Sequence, residues 1–406
     1  MLPTKSTKFF SELNDFLSSG EKGILKIMDI YKKLDLHKIK IGYHDLPQAS
    51  YRRSDLLLCL MMFPVFQVKN VYSYLDSTLN EFFEARKNTL YRLKNDSMVN
   101  WRHIVNLVNN RLFKTVATKA DTLPDGPRCL ILDDTDFVKT SYRTEHVGFI
   151  WSHVAHRTVL GFKGLFLGYW DSKSFFALDF SLHKERGKNQ KKPFGLNPKQ
   201  RSRQYSMPRD NGTPGRDREK ELVQDKISMA IKMVAKAISR KMQVDYVLMD
   251  SWFFCNAFVQ FIKTLSPKVH ILAIAKMGKT HYRFEGNEYT PKQLSEIMKN
   301  RKKVKRVKAL NLYCADVLVD FKGTPLKLFF CKNSKRGKWH VLATTNTKLG
   351  IIKAYQTYSI RWTVEVFFKE GKQHFGLGKS QSQDFNGQIA DISIAMMVYN
   401  VFSMVK

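Results

Sequence analysis

Arg128-Cys129-Leu130-Ile131-Leu132-Asp133-Asp134-Thr135 is a short apolar run, opened just after Pro127, that ends abruptly on three polar residues. A run this short and this apolar, bounded by a proline and a polar cluster, reads as a buried strand. Its counterpart is 244–249, an apolar run of the same character that ends on Asp250. Two further strand-like runs, 164–170 and 175–183, lie between them, and 269–275 follows. Helical spacing over 221–242 and 253–264 alternates with these strands, which is the pattern of an α/β fold. The two aspartates then stand at strand ends, exposed along one rim of a sheet.

One aspartate at a strand end is an ordinary turn or helix cap. Two of them, joined by a third carboxylate on a late helix, describe a site for a hard cation. Helical spacing covers 350–375 and 389–405, and on the first of these Tyr358, Arg361, Glu365 and Lys372 follow one another by three, four and seven residues. Those intervals put all four on one helical face. The face offers one acid, two cations and a phenol instead of an apolar stripe. Glu365 can bind metal there while Arg361 and Lys372 hold phosphates. Phosphoryl transfer requires such a set, because the attacking and leaving oxygens both develop charge and two metal ions about 4 Å apart can stabilise both.

Composition points to the same partner. The 406 residues hold 68 Lys and Arg against 36 Asp and Glu, a formal net charge of +32. So large an excess fits a nucleic-acid groove, where each neutralised phosphate releases counterions. No apolar run approaches the roughly 20 residues of a membrane span, and the first ten residues lack a signal-peptide core, so the expected location is the cytoplasm, with no membrane partner. The five cysteines, Cys59, Cys129, Cys255, Cys314 and Cys331, show no metal-binding spacing and read as buried free thiols.

Along the chain, residues 1–125 read as a helical DNA-binding region decorated by Arg52, Arg53, Lys69, Arg86, Lys87, Arg92, Lys94 and Arg102. Residues 184–220 lose the apolar period and carry twelve Lys or Arg against four acids, which reads as a mobile basic loop. Residues 276–345 mix short β patterns with the basic run 299–308 and read as an insertion. The expected organisation is therefore 1–125 helical, 126–275 the first part of the core, 276–345 the β-rich insertion and 346–406 the last part of the core. The apolar helix pattern running into Lys406 also raises the expectation of a further C-terminal dimerisation segment.

The order Tyr358, Arg361, Glu365, Lys372 resembles the Y-(2)-R-(3)-E-(6)-K signature of insertion-sequence family four, the bacterial cut-and-paste DDE transposases. The segments 130–135 and 247–253 resemble that family's two aspartate motifs, and the likeness spans about 125–405. It implies an RNase H-like catalytic core, a mixed sheet with helices on both faces, and a β-rich insertion between the second aspartate and the glutamate. The 114 residues between Asp250 and Glu365 leave room for that insertion. It further implies Asp133, Asp250 and Glu365 as catalytic metal ligands for two Mg²⁺ ions, with Mn²⁺ as a substitute. The family motif D-x-[ST] favours Asp133, followed by Thr135, over Asp134. Tyr358, Arg361 and Lys372 would bind DNA. Cleavage would pass through a DNA hairpin, with a flipped base stacked on an aromatic side chain, for which Trp339 and Trp252 are candidates. The partners implied are double-stranded DNA and a second copy of the chain in a synaptic complex. Two rival readings are a metal-dependent nuclease or resolvase on the same fold and a catalytically retired DNA-binding derivative.

Overall fold

The structure is a computed structural model that describes residues 35, 38–42, 51–83, 85–117 and 126–404. The part of the N-terminal helical region that falls on the remaining residues, and the last two residues of the chain, lie outside it. The described N-terminal residues form α1 (Arg53–Met62), α2 (Thr78–Phe82), α3 (Lys87–Asn95) and α4 (Trp101–Ala117).

Beyond them the chain builds one twelve-stranded mixed sheet. Its first six strands are β1 (Cys129–Val138), β2 (Gly148–Ser152), β3 (Arg157–Trp170) and β4 (Phe175–His183), then β5 (Tyr246–Met249) and β6 (His270–Ala275). β3 runs antiparallel to β1, β2 and β4, whereas β5 runs parallel to both β1 and β6. Parallel neighbours need crossovers, and helices supply them. α5 (Pro198–Ser202), α6 (Pro214–Glu221) and α7 (Lys226–Ser239) lead from β4 to β5, and α8 (Asn256–Leu265) joins β5 to β6. β5 is buried at all four positions, as expected of a strand covered on both faces.

Residues 276–345 extend this same sheet. They supply β7 (Tyr282–Phe284), β8 (Asn287–Tyr289), α9 (Pro291–Asn300), β9 (Lys305–Val307), β10 (Leu312–Phe321), β11 (Thr324–Lys332) and β12 (His340–Thr344). β12 pairs with β6, so the order from one edge is β2-β3-β1-β5-β6-β12-β11-β10-β7-β8, with β4 on β3 and β9 on β10. The chain then forms α10 (Ile351–Ser359), α11 (Trp362–His374) and α12 (Phe385–Ser403).

Alternation along β1 separates two cores. Cys129 and Ile131 belong to the layer holding α10, α11, α12 and the N-terminal helices, and Leu130 and Leu132 to the layer holding α7, α8 and α9. α12 is buried at nearly every position, so it is apolar all round instead of striped. α7 is amphipathic, burying Met229, Ala230, Met233, Val234 and Ala237 against the sheet.

Several expectations need correction. Residues 184–220 are not a featureless mobile loop: Arg209 within them is fully buried and meets Glu145 at 2.7 Å, Glu219 at 2.7 Å and Asp384 at 3.0 Å. Those partners tie the segment to the turn after β1 and to the start of α12. The basic decoration of the N-terminal helices is partly internal, because Arg53 pairs with Asp96, Lys94 with Asp391, and Arg102 with Asp179 and Glu221. β2, built on the apolar Phe149-Ile150-Trp151, is a strand the expected pattern did not include, and the helix expected over 350–375 divides at Ile360 into α10 and α11. Four cysteines are buried and Cys255 is half-buried, all as free thiols. Among the described residues no helix is long and apolar enough to cross a membrane.

Candidate active site

β5 stops at Met249, opposite Leu132, while β1 continues along β3 to Val138. From Asp133 onward β1 has therefore lost its parallel neighbour, and its open flank borders the first residue after β5, Asp250. By the alternation of the two cores Asp133 points toward α10 and α11. Asp134 points to the opposite layer, where Lys226 at the start of α7 meets its carboxylate at 2.7 Å. The two adjacent acids thus serve different faces.

Asp133 Oδ1 accepts the backbone N–H of Asp134 at 2.9 Å, and Oδ2 accepts Arg361 Nη1 at 2.6 Å. Burial raises its pKa to about 7 against the opposing pull of Arg361, and the charges of Asp134 and Asp250 add to the rise. Asp250 Oδ1 accepts the backbone N–H groups of Trp252 at 2.8 Å and Phe253 at 3.4 Å, a turn that holds the carboxylate at the rim. Glu365, one helical turn after Arg361, receives its Nη2 at 2.7 Å. One guanidinium therefore bridges the carboxylates of Asp133 and Glu365.

Tyr358 is buried, and its hydroxyl donates to the carbonyl of Met249 at 3.3 Å, which fastens α10 to the end of β5 beside Asp250. Burial pushes that phenol up to about 12. Lys372 Nζ donates to Thr135 Oγ1 at 2.6 Å and to the Asp136 carbonyl at 3.1 Å, fastening α11 to β1 two residues past Asp133. Burial lowers the pKa of this ammonium. The structure thus gathers Tyr358, Arg361, Glu365 and Lys372 along the open flank of β1. Trp339 lies in the turn between β11 and β12, edge-on to Phe330 at 6.2 Å with Lys332 4.4 Å above it. Trp252 is 40% exposed beside Asp250, with Lys226 Nζ 4.1 Å from its ring. Lys226 was not legible as a site residue, since nothing local ties it to Asp134, 92 residues earlier.

As donors, Asp133, Asp250 and Glu365 fit a divalent cation, since all three present hard carboxylate oxygens. Their spacing is wider than direct ligation of one ion, with the guanidinium between two of them. Among the described residues the set of three ligand side chains lying within 4.8 Å of one another is Glu145, His146 and Glu219. Arg209 already bonds both of those carboxylates, so that set is an ion-paired joint.

Residues 43–286 match the family model described as DDE superfamily endonuclease. Residues 225–401 match the one described as transposase DDE domain. The first match includes Asp133 and Asp250, and the second Asp250 and Glu365. No curated protein matches the sequence significantly. Similar solved structures include a piggyBac transposase synaptic complex with hairpin DNA, 13% identical over 93% of this chain and 72% of that one with a TM-score of 0.46. Another is the NurA nuclease from Sulfolobus solfataricus, 11% identical over 62% of this chain and 80% of that one with a TM-score of 0.27. Neither likeness is close enough to transfer a residue or an activity.

Proposed function

The chain belongs to the DDE superfamily of endonucleases and is a DDE transposase, and from that premise we propose that Asp133, Asp250 and Glu365 are its catalytic carboxylates, acting on DNA ends in the cut-and-paste manner of insertion-sequence family four. The observation that carries this reading is the Arg361 bridge between Asp133 and Glu365, with Asp250 at the adjoining strand end. The strand order β4-β3-β1-β5-β6, antiparallel then parallel, supports an RNase H-like core. The assignment of 1–125 to DNA binding and of 276–345 to an insertion belongs to the same proposal.

The three carboxylates would hold two divalent ions, Mg²⁺ or Mn²⁺, whose charge would offset that developing on the attacking and leaving oxygens of the scissile phosphodiester. The chain's own residues hold the frame. Backbone N–H groups orient Asp133 and Asp250, Tyr358 anchors α10 to β5, and Lys372 anchors α11 to β1. Arg361 neutralises Asp133 and Glu365, and once their charge is offset otherwise its fork is free to turn to a backbone phosphate. Lys372, Tyr358 and Trp339 complete the DNA-facing set in this reading. Cleavage through a hairpin, inside a homodimer that holds two ends, is the finer part of the proposal.

The test uses the full chain and duplexes bearing its own element's ends. Asp133→Asn, Asp250→Asn and Glu365→Gln should each abolish cleavage and strand transfer while retaining end binding. Wild-type cleavage by any one of them would remove that residue from the site. Cleavage by the wild type without any joined product would favour a plain nuclease.

A further inference from the structure

Away from these carboxylates, a concave pocket of about 360 Å³ opens between the first turn of α4, α6 and α7. Trp101, Arg102, Asn106, Arg218, Lys236 and Arg240 line it. Its charge is unbalanced. Arg102 meets Asp179 at 2.6 Å and Glu221 at 2.5 Å, and Arg218 meets the same Glu221 at 3.0 Å. Asp217, also at the pocket, pairs outward with Lys220 at 3.2 Å. Four cations thus surround two carboxylates, and the exposed Lys236 and Arg240 are in no ion pair among the described residues. Among the described residues the Arg240 guanidinium bonds the neutral Asn106 side chain.

A second observation is independent of charge counting. Arg218 is 6% exposed and Trp101 3% exposed, yet among the described residues Arg218 Nε and Nη2 and Trp101 Nε1 have no hydrogen-bond partner. Buried N–H groups left unmet are costly and uncommon. Arg218 lies over the Phe180 ring at 4.2 Å, and burial, with Arg102 beside it, lowers its pKa to about 10. Partial burial lowers the Lys236 pKa against the opposing pull of Asp179, and the charges of Arg102, Arg240 and Arg218 add to the lowering. The first turn of α4, a 17-residue helix, brings the positive end of its dipole to the same place.

We propose that this pocket is an oxyanion site for a phosphate group, with Lys236 and Arg240 at its rim and Arg218 and Trp101 at its buried side. The phosphate comes from a DNA backbone or from free phosphate. Asp179 pairs in register with Leu167, and Leu167 with Leu132, so the pocket flanks the strand two positions across the sheet from the Asp133 rim. The assignment does not depend on which carboxylates cut DNA.

Inorganic phosphate is titrated against the full chain at constant ionic strength set by chloride, read by thermal melting and phosphorus NMR line width. A short duplex is titrated in parallel across a salt series. The test variant is Lys236→Ala/Arg240→Ala, both exposed and so compatible with folding. Lys299→Ala/Lys303→Ala, outside the pocket, is the control, and Arg218→Gln is a second probe where it folds. Saturable phosphate binding that falls at least about tenfold in the test variant but not in the control supports the site, since two charge contacts are lost. A duplex that displaces phosphate, with a salt slope reduced by about two in the test variant, identifies DNA as the source. Loss of phosphate binding with duplex binding unchanged identifies free phosphate. Phosphate and duplex binding in the test variant equal to those of the control overturns the proposal.

Discussion

Arg361 Nη1 stands 2.6 Å from Asp133 Oδ2, joining residues 228 apart in sequence, while Nη2 of the same guanidinium reaches Glu365. The fork holds two acids of like charge together. Arg361→Ala leaves the buried Asp133 carboxyl without its counter-charge, a loss of about 3 kcal/mol by analogy with broken buried pairs, while the more exposed Glu365 loses little. The deficit should appear in full with a chelator present and shrink when Ca²⁺ or Mn²⁺ is added. Denaturant melts in EDTA and in each cation check this. An equal deficit in both conditions would mean that no cation takes the place of the guanidinium.

Glu365→Gln keeps the shape of the side chain and the hydrogen bond from Arg361, but loses the charge that would hold metal. Cleavage of end-bearing DNA should fall by at least about a thousandfold, with the end-binding constant changed by less than about threefold. Gel-shift and cleavage assays on one preparation measure both. Parallel loss of the two would make Glu365 a structural residue.

Much of this site was legible because its signals are local. The runs 128–135 and 244–250 each end on an acid, and the spacing of Tyr358, Arg361, Glu365 and Lys372 is helical. That Asp133 and Asp134 serve opposite faces is marked by nothing in the run 129–132, which is apolar throughout, and emerges only from the two cores it borders. Which face holds the late helix is a long-range fact, visible only through Arg361 and Lys226. The order of 184–220 was hidden for the same reason, since it depends on Arg209 reaching Glu145 and Asp384, 64 and 175 residues away. Tyr358, read as a DNA-facing phenol, bonds the Met249 carbonyl, a partner no helical spacing can reveal.

Tyr358→Phe removes only that hydroxyl. The stability cost should be about 1 kcal/mol, the net worth of one hydrogen bond, with cleavage reduced because α10, which leads directly into the helix bearing Glu365, is less firmly fixed to β5. If Tyr358 instead holds a backbone phosphate, the salt slope of end-DNA binding falls by about one. Melting curves and a salt series on the same variant distinguish the two roles.

His183, on β4 and 2% exposed, is built into the fold as a neutral ring. The Ser181 hydroxyl donates to Nε2 at 2.7 Å, and Nδ1–H donates to the Gln224 carbonyl at 3.2 Å, so a second ring proton would require the buried Ser181 hydroxyl to turn from donor to acceptor. Burial accordingly depresses its pKa from the usual 6.5 to about 4. In the unfolded chain the ring takes up a proton below 6.5, while the folded ring stays neutral down to the lower value. The stability from this residue is therefore fully present above 6.5, declines as the pH falls through that window, and levels off below it, a total change of about 3 kcal/mol. Denaturant titrations between pH 7.5 and 4.5 should show a shallower decline for His183→Gln than for the wild type. In the wild type, the ring C–H resonances should not shift until well below pH 6. A ring that titrates near 6.5 in the folded chain would show that His183 does not contribute to the loss of stability in acid.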